Sequence, residues 1–518
     1  MKYDFYNKYK FKIKSIQEVV KKIKHLSGKK KTILCHGVFD VVHPGHIRHF
    51  SYAKSKANLL IVSLTTDKYI KKGTYRPHVP EKLRALNLAA FEMVDYVVID
   101  NEPTPLKNLK ILKPDYFAKG FEYSADKISK ETLEETKVVK SYGGKIIFTP
   151  GDVVYSSSKI INTTLPNLQI EKLLSLMDFN NISFDDLKKI IRKFSKLSVH
   201  VIGDTIIDIY TRGTFIGGQT KTPTYSVLQE SQEQYVGGAG IVSQHLKSAG
   251  AKVIFSTVLG KDSLKDFAKS ILTKLKIKLN LIIDETRPTT NKNVIISGPY
   301  RLLKIDKLDN RGISEEIILK FKKFLKSTKV NAVICSDFRH GIFHQGSIKK
   351  LISSIPGKTL KVADSQVATR WGNITEFQNF DLITPNEREG RFSLADQDST
   401  VGTLSSLLSK KSKCQNLILK LGSKGIFCSS KNKKAKSDYF SVDSFANNVV
   451  DPVGAGDALL AYATLSLIVS KSLVISSIIG SFAAACECEI DGNKPITFQN
   501  VISKINEVED ISEYKEEN

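Results

Sequence analysis

The sequence predicts an α/β protein made of two different three-layer domains. A chain of 518 residues is too long for one ordinary hydrophobic core, and its 41% apolar and 25% charged residues are typical of a globular protein. Strand-like runs alternate with helix-like runs in both halves of the chain, which favours parallel sheets covered by helices. No internal repeat relates the two halves, so the two domains are expected to differ.

The first alternating series lies between residues 32 and 150. It begins with the apolar strand-like run "TILCHGVF", and a helix is predicted to begin near Pro44. The strand-like run "NLLIVSLT", the helical segment "EKLRALNLAAF" and the strand-like runs "VDYVVID" and "GKIIFTP" follow in that order. We assign residues 28–165 to this domain.

A helical connector is predicted at residues 166–196, where "SFDDLKKIIRKF" has Ser183 as a helix N-cap and Asp186 three residues later. The second alternating series then runs from "LSVHVIGD" to "NLILKLGSKG", and the second domain is assigned to residues 197–507. The segment 211–236 is rich in Thr, Tyr, Gly and Gln, which predicts a small β-rich flap outside the main sheet.

The composition limits the classes of function. The formal net charge is +25, but lysines recur throughout and no single basic tract dominates, so an enzyme for polyanionic substrates is favoured over a nucleic-acid binder. The six cysteines lack the spacing of a zinc site, which is typical of free thiols in a reducing compartment. The N-terminal "MKYDFYNKYKFKIK" has no apolar signal-peptide core, and the 13-residue run "ALLAYATLSLIVS" is short for a membrane span. We expect a cytoplasmic protein without nucleic-acid or membrane binding.

The segment "HGVFDVVHPGHIRHF" (residues 36–50) carries four histidines beside a predicted helix entrance. Pro44 is favoured at the first helical position, so His43 is expected near the N-cap, with His46 one turn away on the same face. The free N–H groups and partial positive charge of a helix N-terminus favour a phosphate, and two imidazoles can donate to its oxygens. Zinc ligation is the weaker alternative, because Pro and Gly separate the two histidines and no third ligand is evident.

This segment resembles the H-x-G-H motif of the cytidylyltransferase-like nucleotidyltransferases, which have a Rossmann-like fold. The segments "YRPHVPEKLR", "FAKGFEY" and "YSSSKII" resemble further motifs of that family in order and spacing, although Phe121 and Glu122 replace the usual Gly-Asp. The resemblance implies transfer of a nucleotidyl group, with catalytic roles for His43, His46 and Lys119. It also implies nucleotide or phosphate contacts for Gly37, Phe39, Asp40, Arg84, Ser156, Ser157 and Ser158. Arg76 and Arg84 are implied to lie near the triphosphate or at the dimer contact of this fold.

The segment "NVVDPVGAGDALLAYATL" (residues 448–465) places glycines at the entrance of a second, apolar helix. The backbone N–H groups of Gly454, Ala455 and Gly456 can bind an anion, and Asp457 is placed to accept a proton from an attacking hydroxyl. An ordinary capped helix with a glycine turn would show the same local pattern.

The second half of the chain resembles the ribokinase-like (PfkB) sugar kinases through "GDTIIDIY", "YVGGAG", "TPNERE", "KLGSKG" and "DPVGAGD". The resemblance implies sugar contacts for Asp208, Gly237, Gly238 and Asp457, and catalysis by Asp457. It implies nucleotide or phosphate contacts for Asn386, Glu389, Lys420, Gly422, Gly425, Asp451, Gly454, Ala455 and Gly456, with Glu389 also near Mg²⁺. The chain departs from the family at Ile241, His340 and Gln366, where polar or basic residues are usual.

Together the two halves resemble the bifunctional ADP-heptose synthases, with the domain order reversed. The resemblance implies phosphorylation of heptose 7-phosphate at the anomeric hydroxyl and nucleotidyl transfer to the resulting 1-phosphate. Mg²⁺, ATP as phosphoryl donor, ATP or CTP as nucleotidyl donor, and a homodimer joined through the flap are implied as well. The alternative is a nucleotidyltransferase with a degenerate kinase-like domain that serves for binding or dimerisation.

Overall fold

The computed structural model describes residues 5–24, 30–70, 77–120, 130–149, 169–218, 225–366, 372–431 and 438–512. The chain divides into two compact units, residues 1–175 and 176–518. Four residues of the nucleotidyltransferase motifs lie outside the described residues: Arg76, Ser156, Ser157 and Ser158.

The first unit contains a five-stranded sheet in the order β3-β2-β1-β4-β5, and every neighbouring pair is parallel. Its strands are β1 (Thr32–Gly37), β2 (Leu59–Thr65), β3 (Tyr96–Asp100), β4 (Tyr116–Gly120) and β5 (Lys145–Thr149). Its helices are α1 (Phe5–Lys10), α2 (Ile16–Lys24), α3 (Pro44–Lys56), α4 (Glu81–Ala89), α5 (Leu106–Leu112) and α6 (Lys130–Ser141).

Alternate residues of β1 enter two separate cores, which explains the three layers of this unit. Ile33 and Cys35 pack with residues of α3 and α4 on one face, and Leu34 packs with residues of α2, α5 and α6 on the other. The parallel sheet with helices on both faces is therefore confirmed. The sequence prediction missed α1 and α2: Ile16 and Val19 of α2 are buried in the second core, before the predicted start at residue 28.

The second unit contains a nine-stranded sheet in the order β10-β9-β6-β13-β14-β15-β16-β17-β18. The pairs from β10 to β16 are parallel, and the last two pairs are antiparallel. These strands are β6 (Ser198–Gly203), β9 (Lys252–Leu259), β10 (Lys278–Ile283), β13 (Ala332–Asp337), β14 (Leu360–Ser365), β15 (Leu382–Ile383), β16 (Asn416–Lys420), β17 (Ile426–Ser430) and β18 (Tyr439–Val442).

Helices cover both faces of this sheet, since Val333 and Cys335 enter one core with residues of three helices while Ile334 on the opposite face is also fully buried. α7 (Gln169–Asn180) crosses the boundary between the two units along the chain. The helices of the second unit are α8 (Phe184–Ile191), α9 (Ala239–Ser248), α10 (Ser263–Lys274), α11 (Glu315–Ser327), α12 (Gln345–Ile352), α13 (Glu387–Leu394), α14 (Val401–Ser412), α15 (Ala455–Ser470), α16 (Leu473–Cys488) and α17 (Phe498–Ser512). Short 3-10 helices span Asp67–Tyr69, Phe194–Lys196, Ile374–Glu376 and Gly422–Lys424.

The predicted connecting helix is confirmed in its local detail. Ser183 caps α8, its side chain accepts a hydrogen bond from the Asp186 N–H, and the Asp186 carboxylate accepts one from the Ser183 N–H. Phe184, Leu187 and Ile191 are buried along one side of this helix.

A separate four-stranded sheet, which we call the lid sheet, has the order β12-β11-β7-β8. Its strands are β7 (Thr205–Gly218), β8 (Tyr225–Gly238), β11 (Asn291–Ser297) and β12 (Tyr300–Lys307). The β-rich flap is confirmed for β7 and β8, but the sequence prediction missed its other half. β11 pairs in parallel with β7 and antiparallel with β12. Both β11 and β12 begin more than 70 residues after the end of β7.

Candidate active sites

The two histidines of the H-x-G-H segment cap α3 reciprocally. His43 is the N-cap in extended backbone conformation, and its Nδ1 accepts the Gly45 N–H at 3.1 Å. The Nδ1 of His46 accepts the His43 N–H at 3.4 Å. This is the arrangement of a capping box, with imidazoles in place of the usual hydroxyl and carboxylate. The predicted position of His43 at the helix entrance is therefore confirmed.

These hydrogen bonds assign the tautomer of both rings. Because each Nδ1 accepts a backbone N–H, the ring proton of each neutral histidine lies on Nε2, where it can be donated to a phosphate oxygen. The ring centroids are 3.9 Å apart. Burial lowers the pKa of His46 to about 3, aided by the charges of His43 and His49, and burial also lowers the pKa of His43. The site thus presents two neutral N–H donors at a helix N-terminus.

The loop between β1 and α3 fixes the position of His46. Phe39 adopts a positive φ of 48°, and its ring contacts His46 edge-on at 5.3 Å between centroids. A Cβ on Gly37 would lie 3.0 Å from the Phe39 ring, so glycine allows the ring to fold back over the strand end. Asp40 accepts the N–H groups of His78 and Val79 at 2.8 and 2.9 Å. In this structure Phe39 and Asp40 shape the loop, and their predicted nucleotide contacts stay predictions.

Arg84 is fully enclosed by protein atoms. Its guanidinium donates to the carbonyl oxygens of Val38, Thr65 and Val79 and to the Asp67 carboxylate at 2.6 Å. Its side chain is 0% exposed, and it connects the loop after β1, the end of β2 and the loop before α4. The geometry therefore assigns Arg84 a structural role, and a direct phosphate contact stays a prediction.

Substitution Arg84→Met tests this role. We expect it to lower the free energy of unfolding by about 3–5 kcal/mol, because it removes several hydrogen bonds and leaves the Asp67 carboxylate without its buried partner. Urea unfolding followed by circular dichroism would measure the loss. An unchanged stability combined with a raised KM for the nucleotide would instead support direct phosphate binding.

The side chain of Lys119 forms an ion pair within the first unit. It lies on β4, and its ammonium donates to the Glu135 carboxylate and, at 3.0 Å, to the Thr132 hydroxyl, both on α6. Burial raises the pKa of Glu135, and the positive charge of Lys119 opposes that shift. Glu135 was not predicted from the sequence, since nothing in a helical segment rich in Glu and Lys distinguishes the carboxylate that meets Lys119.

The second site is the entrance of α15. Gly454 is its N-cap at φ +91°, a conformation that favours glycine. A Cβ on Gly454 would also lie 2.7 Å from Asn493 Oδ1 and 2.8 Å from Glu487 Oε1. Both oxygens are buried without a hydrogen-bond partner in the described part of the chain. The turn therefore needs glycine for its backbone conformation and for space.

Asp457 lies in the first turn of α15 and is 8% exposed. Its Oδ1 has no hydrogen-bond partner among the residues that the structure describes. Burial raises the pKa of its carboxyl to about 8, and the nearby charge of Asp364 adds to the rise while Lys420 opposes it. A carboxylate whose pKa is raised in this way has a high affinity for a proton and is suited to accept one from a hydroxyl.

Lys420 occupies the centre of a group of carboxylates beside Asp457. Its ammonium lies 3.1 Å from both oxygens of Asp364, and a Cβ on Gly456 would lie 3.2 Å from it. Glu389 forms a reciprocal cap with Asn386, at 2.7 and 2.8 Å, at the start of α13. Burial and Asp364 raise the pKa of Glu389 to about 7. Asp364 was not predicted from the sequence, although it lies next to the last residue of β14, at the carboxyl edge of the sheet.

The donor set at this site fits a hydrated divalent cation. Asp364, Glu389 and Asp457 place three carboxyl groups around the single ammonium of Lys420, and Mg²⁺ prefers oxygen ligands. Among the described residues, no group of three or more His, Cys, Asp or Glu could hold a metal directly. Mg²⁺ commonly keeps several waters and binds through substrate phosphates with few carboxylates, so these residues fit it in that manner.

The predicted sugar residues meet at the base of the lid sheet. Asp208 on β7 accepts the Asn493 amide at 3.2 Å, and a Cβ on Gly237 would lie 2.0 Å from Asp208 Oδ2. Gly238 adopts φ +60° beside the Asp204 carbonyl. Ile241 is fully buried, so it offers no polar group here.

Three predicted nucleotide or phosphate residues have structural roles in the second unit: Asp451 binds side chains of the lid sheet, and Gly422 and Gly425 form a turn. Asp451 accepts the Tyr210 hydroxyl at 3.2 Å and the Arg301 guanidinium at 3.0 Å, both from the lid sheet. Gly422 and Gly425 have φ of +62° and +81° in the turn after β16. A Cβ on Gly425 would lie 2.1 Å from the Val442 carbonyl, so this turn needs glycine. Their contacts with a nucleotide stay predictions.

The fold and these sites define a protein with two α/β units, each presenting a helix N-terminus suited to phosphate. A family model described as "pfkB family carbohydrate kinase" matches residues 196–494, and one described as "Cytidylyltransferase-like" matches residues 34–163. The chain belongs to the pfkB family of carbohydrate kinases and carries a cytidylyltransferase-like domain in front of the kinase domain. Both family resemblances predicted from the motifs are confirmed.

Curated relatives are similar to parts of the chain. A protein named "Bifunctional protein HldE" from Desulfatibacillum aliphaticivorans is 28% identical over 318 residues, which cover 60% of this chain and 62% of that protein. A protein of the same name from Helicobacter pylori (strain J99) is 38% identical over 137 residues, covering 26% and 27%. The matches therefore span less than two thirds of either relative.

Solved structures support the fold of the second unit. Phosphofructokinase-2 from Escherichia coli in complex with potassium has a TM-score of 0.51 and 13% identity, covering 60% of this chain and 99% of that one. At this identity the similarity shows the fold alone. In the described ranges of the chain, no helix is long and apolar enough to cross a membrane.

Proposed function

We propose that the protein makes a sugar nucleotide in two steps, one in each unit. The second unit phosphorylates the anomeric hydroxyl of a sugar phosphate, and the first transfers a nucleotidyl group to the resulting sugar 1-phosphate. One observation carries this proposal: Asp457 is buried at the entrance of α15 with an unpartnered Oδ1, beside Lys420 and the predicted sugar residues. This arrangement matches what phosphoryl transfer to a hydroxyl requires.

In the proposed kinase step, the Asp457 carboxylate accepts the proton of the sugar hydroxyl while the hydroxyl oxygen bonds to the γ-phosphorus of ATP. The bond between that phosphorus and the β–γ bridging oxygen breaks, and ADP leaves. The N–H groups at the start of α15 stabilise charge on the transferred group. Mg²⁺ bound at Glu389 and the nucleotide phosphates would supply further charge neutralisation.

In the proposed transferase step, a phosphate oxygen of the sugar 1-phosphate bonds to the α-phosphorus of ATP or CTP, and pyrophosphate leaves. This nucleophile is already ionised, so no general base is needed. The Nε2–H groups of His43 and His46 donate to the phosphate oxygens at the helix entrance. Lys119 contributes positive charge to the triphosphate if its ammonium leaves Glu135, with which it pairs in this structure.

The product of the kinase step is the nucleophile of the transferase step, which explains why one chain would carry both units. The resemblance to the ADP-heptose synthases favours heptose 7-phosphate as the first substrate. The chain holds six free cysteines, five of them buried, which fits a reducing compartment such as the cytoplasm.

The proposal is tested by incubating the full chain with each nucleoside triphosphate and a panel of sugar phosphates that includes heptose 7-phosphate. Mass spectrometry of the products should show a sugar bisphosphate with ATP, and then a nucleotide sugar with release of pyrophosphate. If no sugar 1-phosphate ever yields pyrophosphate, the transferase assignment is wrong. If pyrophosphate forms but no sugar consumes ATP, the kinase-like domain is a degenerate module, an alternative that the buried Ile241 favours.

We also propose a homodimer joined through the lid sheet. Its edge strand β12 is exposed along its whole length, and the sheet exposes a group of large apolar side chains. These are Phe215, Ile216, Tyr225, Leu228, Tyr300, Leu302, Leu303 and Ile305. An exposed edge strand with apolar side chains is suited to pair with a second copy.

Substitution Leu303→Lys is expected to convert the dimer into a monomer, because it places a charge in the apolar contact. Leu319→Lys on α11 is the matched control, since Leu319 is 59% exposed and Leu303 58%, but only Leu303 lies on the lid sheet. Light scattering after gel filtration would measure the mass of each variant. A wild-type chain that is monomeric at micromolar concentration contradicts this proposal.

A further inference from the structure

Lys420 extends from the end of β16 into a group of carboxyl groups at the carboxyl edge of the nine-stranded sheet. β14, β15 and β16 are parallel neighbours, so Asp364 and Lys420 lie at the same edge. The Lys420 N–H donates to the Pro385 carbonyl at 2.9 Å, which joins the strand end to the chain just before α13, the helix that carries Glu389. The first turn of α15 supplies Asp457. Two strands and two helices of the second unit therefore meet around one ammonium.

The Lys420 ammonium is a counter-ion inside this group. It lies 3.1 Å from both oxygens of Asp364. Burial lowers the pKa of Lys420, but the charges of Asp364, Glu389 and Asp457 outweigh burial and raise it. Lys420 therefore stays charged among three carboxyl groups whose residues are each at most 8% exposed.

One ammonium does not neutralise three carboxyl groups. Burial and the charge of Asp364 raise the pKa of Glu389 to about 7 and that of Asp457 to about 8, which shows that negative charge is in excess here. Carboxylate oxygens are the ligands that Mg²⁺ and Mn²⁺ prefer. A divalent cation would therefore be attracted to this cluster, but the ammonium of Lys420 already fills its centre.

Asp457 is affected by the kind of cation that fills the cluster. Its Oδ1 has no hydrogen-bond partner in the described part of the chain, although the charge of Lys420 acts on its carboxyl group. The ammonium thus stabilises the carboxylate by its charge and leaves Oδ1 open. A divalent cation bound directly by all three carboxyl groups would take an oxygen of Asp457 as a ligand, and a carboxylate bound to a metal ion is a poorer proton acceptor.

We propose that the Lys420 ammonium takes the place of a directly bound divalent cation in this cluster and so keeps Asp457 free of metal. A divalent cation then binds at this site only together with nucleotide phosphates, which supply the oxygen ligands that the occupied cluster does not. Lys420 is therefore a positioning residue for the carboxyl groups. Its benefit to catalysis rests on the proposed kinase function, but the metal binding can be measured without sugar or nucleotide.

The test uses the full chain without nucleotide and Mn²⁺ as the probe, with free Mn²⁺ measured by electron paramagnetic resonance. Lys420→Met should bind Mn²⁺ about 10- to 100-fold more tightly than the wild type, because it removes one positive charge and releases carboxylate oxygens. Lys420→Arg keeps the charge and should bind Mn²⁺ as weakly as the wild type.

Two further variants separate a gain at this cluster from a general effect of charge. Lys504→Met is the matched control, since Lys504 is 4% exposed and pairs with two carboxylates elsewhere in the second unit, Glu489 at 2.8 Å and Glu507 at 3.1 Å. It should not gain a tight Mn²⁺ site. Lys420→Met combined with Asp364→Asn should lose most of the gain, because one of the three carboxylates is removed.

Thermal unfolding provides a second measurement for a variant that folds poorly. Lys420→Met leaves buried carboxylates without their partner, so its melting temperature should be lower than that of the wild type. Mn²⁺ should raise the melting temperature of Lys420→Met and leave that of the wild type nearly unchanged, because a ligand that binds the folded state stabilises it. A Lys420→Met chain that stays unfolded in excess Mn²⁺ counts against the inference.

The outcomes separate this inference from the proposed function. If the wild type binds Mn²⁺ alone as tightly as Lys420→Met does, the ammonium does not exclude the metal and the inference is wrong. If Lys504→Met gains the same affinity, the gain is not specific to this cluster and the inference is wrong as well. If the binding results are as expected but no sugar consumes ATP, the inference stands and the kinase assignment fails.

Discussion

Substitution Asp457→Asn is expected to lower the kcat of sugar phosphorylation by about 10²–10⁴-fold, because it removes the group that accepts the hydroxyl proton. Nucleotidyl transfer to an added sugar 1-phosphate should be unchanged. Asparagine has nearly the same shape as aspartate, and the helix start is formed by backbone groups of Gly454. Coupled detection of ADP and of pyrophosphate would measure the two activities in one sample.

The same variant should not be less stable than the wild type. In the folded protein the Asp457 carboxyl has a pKa raised to about 8 by burial and by Asp364, so its ionised form is disfavoured there. A neutral amide avoids that repulsion. Asp398→Asn, at an exposed position after α13, is the control for a generic loss of charge. Equal kinase rates for the wild type and the Asp457 variant would contradict a catalytic role and favour the degenerate module.

Substitution His43→Asn is expected to lower nucleotidyl transfer by about 10²–10³-fold without loosening α3. Asparagine is a favourable N-cap and can accept the Gly45 N–H as His43 Nδ1 does, but it lacks the outward Nε2–H. His43→Ala should lose the same activity and in addition about 1 kcal/mol of stability, because the cap is removed. Pyrophosphate release and thermal unfolding measure the two effects.

The kinase rate of the same sample is the internal control for this histidine variant, because the two proposed activities are assigned to different units. A His43→Asn protein that retains its transferase rate would falsify the role of the imidazole as a donor to phosphate. A loss of stability equal to that of His43→Ala would show that the cap is not restored.

Local features of the fold and of both sites could be predicted from the sequence. The entrance of α3 at Pro44, the cap at Ser183 and the glycine turn at Gly454 depend on residues a few positions apart. Their backbone hydrogen bonds are made within one turn, so the sequence pattern contains nearly all of the information needed. The parallel sheets were predictable for a similar reason, since each strand and helix has its own hydrophobic period.

The long-range partners were not predictable. Lys119 meets Glu135, Lys420 meets Asp364 56 positions away, and Asp451 meets Arg301 150 positions away. The sequence does not distinguish an exposed lysine from a buried one, because a long charged side chain can extend into solvent or pack its stem against the protein. β12 was missed because its alternation of apolar and polar residues, from Leu303 to Asp306, is short and all of its residues are exposed, so it does not stand out as a core strand.

The reciprocal histidine cap of α3 bears on how this domain could change during evolution. The Nδ1 that caps the helix and the Nε2–H proposed to bind phosphate belong to the same ring of His43. Selection for the stability of the helix and selection for the reaction therefore act on the same residue. Asparagine separates the two demands, since it can keep the helix entrance while removing the donor. A descendant that lost the reaction but kept the domain as a scaffold would therefore be expected to carry asparagine at position 43 more readily than alanine.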